Sequence, residues 1–285
     1  MAEGCSPVID GGLDLSKYGR PYDDVLTRYK LRKRIGSGGF GDVFEVYHLS
    51  TDGTLMAMKL LRYDHTKTTD DARKETWNIY KAGQHSNVAL FYDDFPFSPT
   101  HHAIMMELFD MDLSGFLGSK NNRVIPLMVD LSLQSVTGLA YLHSHKPQIL
   151  HRDIKPQNIL IKINSKTNAI TAKLSDFGIS SIAEASGFVE NPTKEEMSNV
   201  IRSLITTVGG RGTRAFLAPE FYAAKDGIGL DNGKFRIDAS ADIFALGLVY
   251  LFIFWYKCND YGKRTISIMT CVTTYTTVWP CCDVF

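Results

Sequence analysis

The side chains with chemistry to offer are glycines, lysines and carboxylates at telling intervals. Gly36-Ser37-Gly38-Gly39-Phe40-Gly41-Asp42-Val43 reads G-x-G-x-x-G-x-V between two β-prone runs. Glycine lets the backbone approach a ligand closely enough for its amides to lie over phosphates, although alone such a stretch is equally a plain turn. Ala57-Met58-Lys59 follows, with Lys59 18 residues after Gly41, where a strand lysine would reach the α and β phosphates of a nucleotide. An isolated strand lysine is usually only solvated. Here Glu75 follows in a helical stretch, and a carboxylate there can hold the ammonium in place. Further on come His151-Arg152-Asp153-Ile154-Lys155-Pro156-Gln157-Asn158, then Asp176-Phe177-Gly178, then Ala218-Pro219-Glu220.

The last three stretches match H-R-D-x-x-x-x-N, D-F-G and A-P-E. In this order, behind a glycine-rich loop and a strand lysine, they resemble the eukaryotic protein kinase family over roughly residues 29 to 256. The resemblance implies an α+β, two-lobed fold with a small antiparallel β-sheet N-lobe and a mainly helical, incomplete C-lobe. It implies ATP and Mg²⁺ as cofactors and a protein substrate. Asp153 would accept or orient the substrate hydroxyl, and Lys155 would contact the transferring phosphate. Lys59, paired with Glu75, would hold the nucleotide phosphates. Asn158 and Asp176 would hold the metal ions, hard cations that favour oxygen ligands. The nucleotide would lie against Ile35, Gly36, Ser37, Gly38, Gly39, Phe40, Gly41, Val43, Ala57 and Lys59, with Met106 behind it and backbone groups of Glu107 and Leu108 toward adenine. Lys155 and Thr213 are the residue types found in the serine/threonine class. Ile79, His151 and Phe177 would stack in an apolar column, and Asp242 would anchor the catalytic-loop backbone.

The elements that must carry these residues are legible in outline. Residues 1–28, with Gly4, Gly11, Gly12, Gly19, Pro7 and Pro21, read as an extended leader. Tyr29 to Ile35, Gly41 to His48 and Leu55 to Leu61 read as strands of a meander, and His101 to Leu108 as another. Asp70 to Ala82 and Leu127 to Ser144 read as helices. The expected division is an N-lobe over 29–108, a C-lobe over 109–256 and an atypical tail over 257–285.

Bulk properties limit the partners. Lys plus Arg and Asp plus Glu both number 31, so the overall charge points to no nucleic acid or membrane surface. The apolar run Ile243 to Tyr256 falls short of the ~20 residues a bilayer needs and reads as a buried helix, so no membrane anchor is expected. No secretory signal opens the chain, so a cytoplasmic or nuclear setting is expected, with the five cysteines reduced.

Two departures from the family pattern stand out. The activation segment, 176–220, is 45 residues long. Within it Thr193-Lys194-Glu195-Glu196 resembles a capping box, and Met197, Val200, Ile201, Leu204 and Ile205 make one helical apolar face. This helix is expected either to regulate access to the site or simply to pack on its own lobe. Arg152 beside the catalytic aspartate suits an activating phosphate at Ser203, Thr206 or Thr207, hence a possible activating kinase as partner. After Asp242 only 43 residues remain, and Lys257 to Phe285 lacks helical periodicity. That implies a truncated C-lobe, with Glu220 orphaned unless Arg264 pairs with it, and exposed apolar surface favouring self-association. The expected function is a protein serine/threonine kinase. The alternative is a catalytically impaired product that binds nucleotide or a partner protein. The intervals Glu75 to His85 and Asp153 to Asp176, with Asn158-Ile159-Leu160-Ile161, are similar to the kinase domain of inositol-requiring endoribonuclease kinases, whose RNA cleavage is not carried over.

Overall fold

The computed structural model describes residues 15–38, 41–50, 53–62, 83–122, 124–176, 181–182, 189–190, 216–219 and 236–260. The chain divides into two compact units, Met1–Gln84 with Ala89–Phe109, and His85–Val88 with Asp110–Phe285.

The first unit is built on five antiparallel strands, β1 (Tyr29–Gly38), β2 (Gly41–His48), β3 (Leu55–Arg62), β4 (Phe91–Ser98) and β5 (His101–Glu107), in spatial order β1-β2-β3-β5-β4. Sequence reading passes over β4 because Pro96 and the Asp93-Asp94 pair argue against a strand. The sheet places it at an edge, where a missing N–H costs least. Strand β3, Leu55-Met56-Ala57-Met58-Lys59-Leu60-Leu61, is apolar on both faces, the mark of a strand covered on both sides. On one face Leu31, Phe44, Val46, Met58, Leu60, Phe95, Phe97 and Met105 form a core, closed over by Leu15, Tyr18, Val25 and Tyr29.

Over residues 15–28, that closure corrects the reading of an extended leader. Residues 15–28 fold onto the sheet through a 3₁₀ turn, Ser16–Tyr18, and helix α1 (Asp23–Arg28). Tyr22 N donates to Phe97 O at 2.9 Å. Gly19, at φ +73°, supplies the left-handed turn between them, so this glycine bends the chain onto the sheet. A covering segment with one turn of each kind has no periodicity to read, and residues 1–14 lie outside the described residues.

In the second unit β6 (Met111–Asp112) leads into helix α2 (Leu113–Gly118), whose N-terminus is capped by Asp112 Oδ1 accepting from Gly115 N at 2.7 Å. Helix α3 (Ile125–His143) packs on β9 (Ile170–Leu174), which pairs antiparallel with β8 (Ile159–Ile163). Met128, Leu131, Leu139 and Leu142 face inward. This helix is long and apolar enough to cross a membrane by composition, but Gln134 ties it to β9 by accepting from Ala172 N at 2.7 Å. At Gly138 an added Cβ would sit 2.4 Å from Asn87 O, so only glycine permits this approach. Asn87 O also accepts from Leu174 N at 2.9 Å, and its Nδ2 donates to Ala172 O at 3.0 Å, which seats residues 85–88 against β9 within the second unit.

Helix α4 (Ala239–Asp260) is buried on one side only. Ala241, Asp242, Leu246, Val249 and Ile253 are inside, whereas Ile243, Leu251 and Phe254 are exposed. The expectation of a buried helix therefore holds on one side only: an apolar run of this composition can present one face outward, and periodicity cannot tell the two apart.

Candidate active site

Residues 151–158 run from β7 (Ile149–Leu150) into β8 as irregular backbone closed by a 3₁₀ turn, Pro156–Asn158, and a buried polar network gives them their shape. Asp242, at the first turn of α4, accepts from His151 N at 2.8 Å through Oδ2 and from Arg152 N at 2.7 Å through Oδ1. His143, at the end of α3, donates its Nε2–H to Asp242 Oδ2 at 2.9 Å. Arg152 is held at φ 67°, a left-handed conformation uncommon for an arginine, which its N–H bond to that carboxylate helps to fix. The anchoring role expected of Asp242 is thus visible in the geometry.

His151 is fully buried and has a defined tautomer. Its Nε2–H donates to Ser175 O at 3.0 Å, while Nδ1 accepts from Asp153 N at 3.3 Å. Asp153 is 5% exposed and Lys155 2%, so their pairing takes place out of water. Lys155 Nζ donates to Asp153 Oδ2 at 2.7 Å, and Asn158 Nδ2 donates to the same oxygen and to Asp153 O, both at 2.8 Å. Burial pushes the Asp153 carboxyl above its ordinary value, against the pull of the Lys155 ammonium and with a further push from the negative charge of Asp176. Ser175 N donates to Asn158 O at 2.9 Å, joining Asp176 to the loop, and Asp176 itself sits at φ 63°. A small cavity beside Asp153 is lined by Arg152, Ile154, Phe216, Leu217, Ala218, Ala241 and Ala245.

The donor set suits a hard divalent cation. Asn158 spends its amide nitrogen on Asp153, so its Oδ1 is the atom a cation would take, beside the carboxylate of Asp176. Among the described residues no cluster of three His, Cys, Asp or Glu could hold a metal. Two protein oxygens match a Mg²⁺ that takes its other ligands from phosphates and water.

In the first unit, Val43 pairs with Lys59 and Lys59 with Ile104, and Ala57 pairs with Met106. Strand alternation therefore sets Val43, Ala57, Lys59 and Met106 on one face, opposite the core closed by residues 15–28. Lys59 is 6% exposed there. Gly36 and Ser37 pair with Val43 and Asp42 at the hairpin end, and Gly38 with Gly41. Gly41, at φ +123°, would place a Cβ 2.1 Å from Leu60 O, so no other residue fits. Ile35 is exposed at the hairpin. Glu107 N already donates to Leu90 O at 2.9 Å, so a ligand can take only the carbonyl of this residue; Leu108 follows the strand end. Gly39, Phe40, Glu75, Ile79, Phe177, Thr213, Glu220, the 193–205 stretch and the tail beyond Asp260 lie outside the described residues.

Sequence reasoning missed two parts of the loop's frame, His143 and Ser175. His143 meets Asp242 across 99 positions, and no local pattern announces such a pair. Ser175 adjoins Asp176, and that adjacency was the available signal.

A sheet-based unit and a helical unit carrying this loop define a two-lobed kinase fold. The protein kinase domain family matches residues 29–270. Among curated relatives, a wall-associated receptor kinase-like 20 of Arabidopsis thaliana is 29% identical over 82% of this chain and 32% of its own length. A serine/threonine-protein kinase tousled-like 2 of Xenopus tropicalis is 26% identical over 86% of the chain and 33% of its length. A probable serine/threonine-protein kinase fhkB of Dictyostelium discoideum is 30% identical over 88% of the chain and 21% of its length. The chain belongs to the protein kinase family. It spans a third or less of these relatives.

Proposed function

We propose that this chain transfers the γ-phosphate of ATP to serine or threonine hydroxyls of a protein substrate. The observation that carries the reading is the buried Asp153, Lys155 and Asn158 cluster, with Lys155 and Asn158 both donating to one carboxylate oxygen. Asp153 Oδ1 makes none of these bonds and is the oxygen that would take the hydrogen of an incoming hydroxyl, orienting it in line with the phosphorus. The Lys155 ammonium keeps the Asp153 carboxylate oriented and offers positive charge to the group in transfer. Asn158 and Asp176 would hold Mg²⁺, which supplies neutralisation of phosphate charge. Lys59, with the glycine-rich hairpin, would hold the remaining phosphates, and the Glu107 carbonyl would accept from adenine. Serine/threonine preference is supported by Lys155 and by the names of the relatives.

The test is transfer of labelled γ-phosphate from Mg-ATP to a basic protein substrate by the purified chain. Asp153→Asn is expected to lower the rate by about 10²- to 10⁴-fold, the range a positioned general base supplies. No transfer by the parent chain, with nucleotide binding retained, would establish the non-catalytic reading instead.

A further inference from the structure

Among the described residues the β1–β2 hairpin narrows to its glycines at the edge of the sheet. It ends in the pairs Ser37 with Asp42 and Gly38 with Gly41, on a strand at the sheet edge, and glycines bring no side chain to pack. Asp42 is the first side chain after the last glycine, and it meets the covering segment. Tyr18 Oη donates to Asp42 Oδ2 at 2.8 Å and Lys17 Nζ to the same oxygen at 3.0 Å, while Arg34 lies 3.5 Å from Oδ1.

Tyr18 is itself fastened at the opposite side of the sheet. Its carbonyl accepts from Ser98 Oγ at 2.6 Å, and its ring stands edge-on to Phe44 at 5.2 Å and His101 at 5.3 Å. The residue is 3% exposed. One residue therefore links the β4–β5 turn, through its carbonyl, to the root of the glycine-rich loop, through its hydroxyl.

We propose that residues 15–28 act as a strap that positions the phosphate-binding hairpin, with Tyr18 and Lys17 as positioning residues working through Asp42. An apolar cover alone would need no phenol hydroxyl on this carboxylate. The bonds also answer an electrostatic problem, because a bare carboxylate at the root of this loop would repel ATP phosphates. Burial on its own would raise the Asp42 carboxyl, but bonds from Ser37, Lys17 and Tyr18 outweigh it and hold the group below its ordinary range.

The effect on nucleotide rests on the proposed kinase reading; the effect on the hairpin does not. The experiment compares the full chain with Tyr18→Phe, which keeps the ring, and with Asp42→Asn. Without nucleotide, amide hydrogen exchange over residues 34–44 is expected to run about tenfold faster in Tyr18→Phe, as loss of a bond to a charged group allows. With nucleotide, Tyr18→Phe should bind ATP more weakly by about three- to tenfold while adenosine binding stays at the parent value, and Asp42→Asn, which loses the anchor but also the charge, should weaken ATP less than Tyr18→Phe does. Val25→Ala serves as the comparison for simple loosening of the cover and should lower the melting temperature without changing the ATP-to-adenosine ratio. Parent-like exchange in Tyr18→Phe overturns the strap, as does equal weakening of ATP and adenosine. A parent chain that binds no ATP refutes the kinase reading, and exchange then decides the strap by itself.

Discussion

The glycine-rich hairpin and the loop 151–158 are both backbone that the proposed phosphoryl transfer needs held still, and they are held by different forces. Around the hairpin, fixation is mostly apolar: Phe44, Val46, Met58 and Leu60 are buried beneath Leu15, Tyr18 and Val25, with the Asp42 carboxylate anchored at the root of the glycine-rich loop and Glu45 paired with Arg32 across β1 and β2. Around residues 151–158 it is polar, and Asp242, His143, Ser175 and Asn158 make directional bonds inside the protein. Apolar packing tolerates a change of shape at constant volume, because dispersion and hydrophobic burial have no fixed direction. A buried hydrogen-bond network does not, because each group left unpaired carries its full desolvation cost.

The contrast is broken most severely at Asp242. Asp242→Asn turns one acceptor into a donor facing backbone N–H groups or the His143 N–H. It should destabilise the chain by about 3 to 5 kcal/mol, measured by urea unfolding. A loss below about 1 kcal/mol would mean that the polar network is as forgiving as the core. Met58→Leu, fully buried in the apolar region, conserves volume and should cost less than about 1.5 kcal/mol in the same assay. A cost matching that of Asp242→Asn would erase the distinction between the two regions.

The smallest effect expected is one of pH. The Asp153 value is raised by burial, so its ionisation costs stability. Stability is therefore retained in full below the unfolded Asp value of about 3.9, where the carboxyl is neutral, and is lost as pH rises through the folded value. Transfer runs the opposite way, since only the carboxylate can take a proton. The acid limb of kcat/KM should therefore lie above the ordinary aspartate range. A limb at or below that range would show that Asp153 is better solvated than its 5% exposure implies.

The strands β1, β2, β3 and β5 were legible because alternation and Gly-rich turns are local, and α3 because its apolar period is local. Strand β4 was hidden by Pro96, harmless only at an edge, and edge position is a property of the assembled sheet. The strap of residues 15–28 was hidden because Leu15, Tyr18 and Val25 follow no period. The remaining hint was β3 itself, apolar from Leu55 to Leu61 except at Lys59, which asks for cover on both faces.

The order of residue types alone determined that Asp153, Lys155, Asn158 and Asp176 belong to one kind of chemistry, since short motifs record what a reacting group requires nearby along the chain. Only the tertiary structure decided which oxygen of Asp153 is occupied, that His143 helps to hold Asp242, and that Tyr18 reaches Asp42. Those contacts join residues 24 to 99 positions apart, except for the two-residue pair of Asp153 and Lys155. Bonds between distant positions depend on how strands and helices stack, and packing of that kind leaves no periodic trace in the order of the residues.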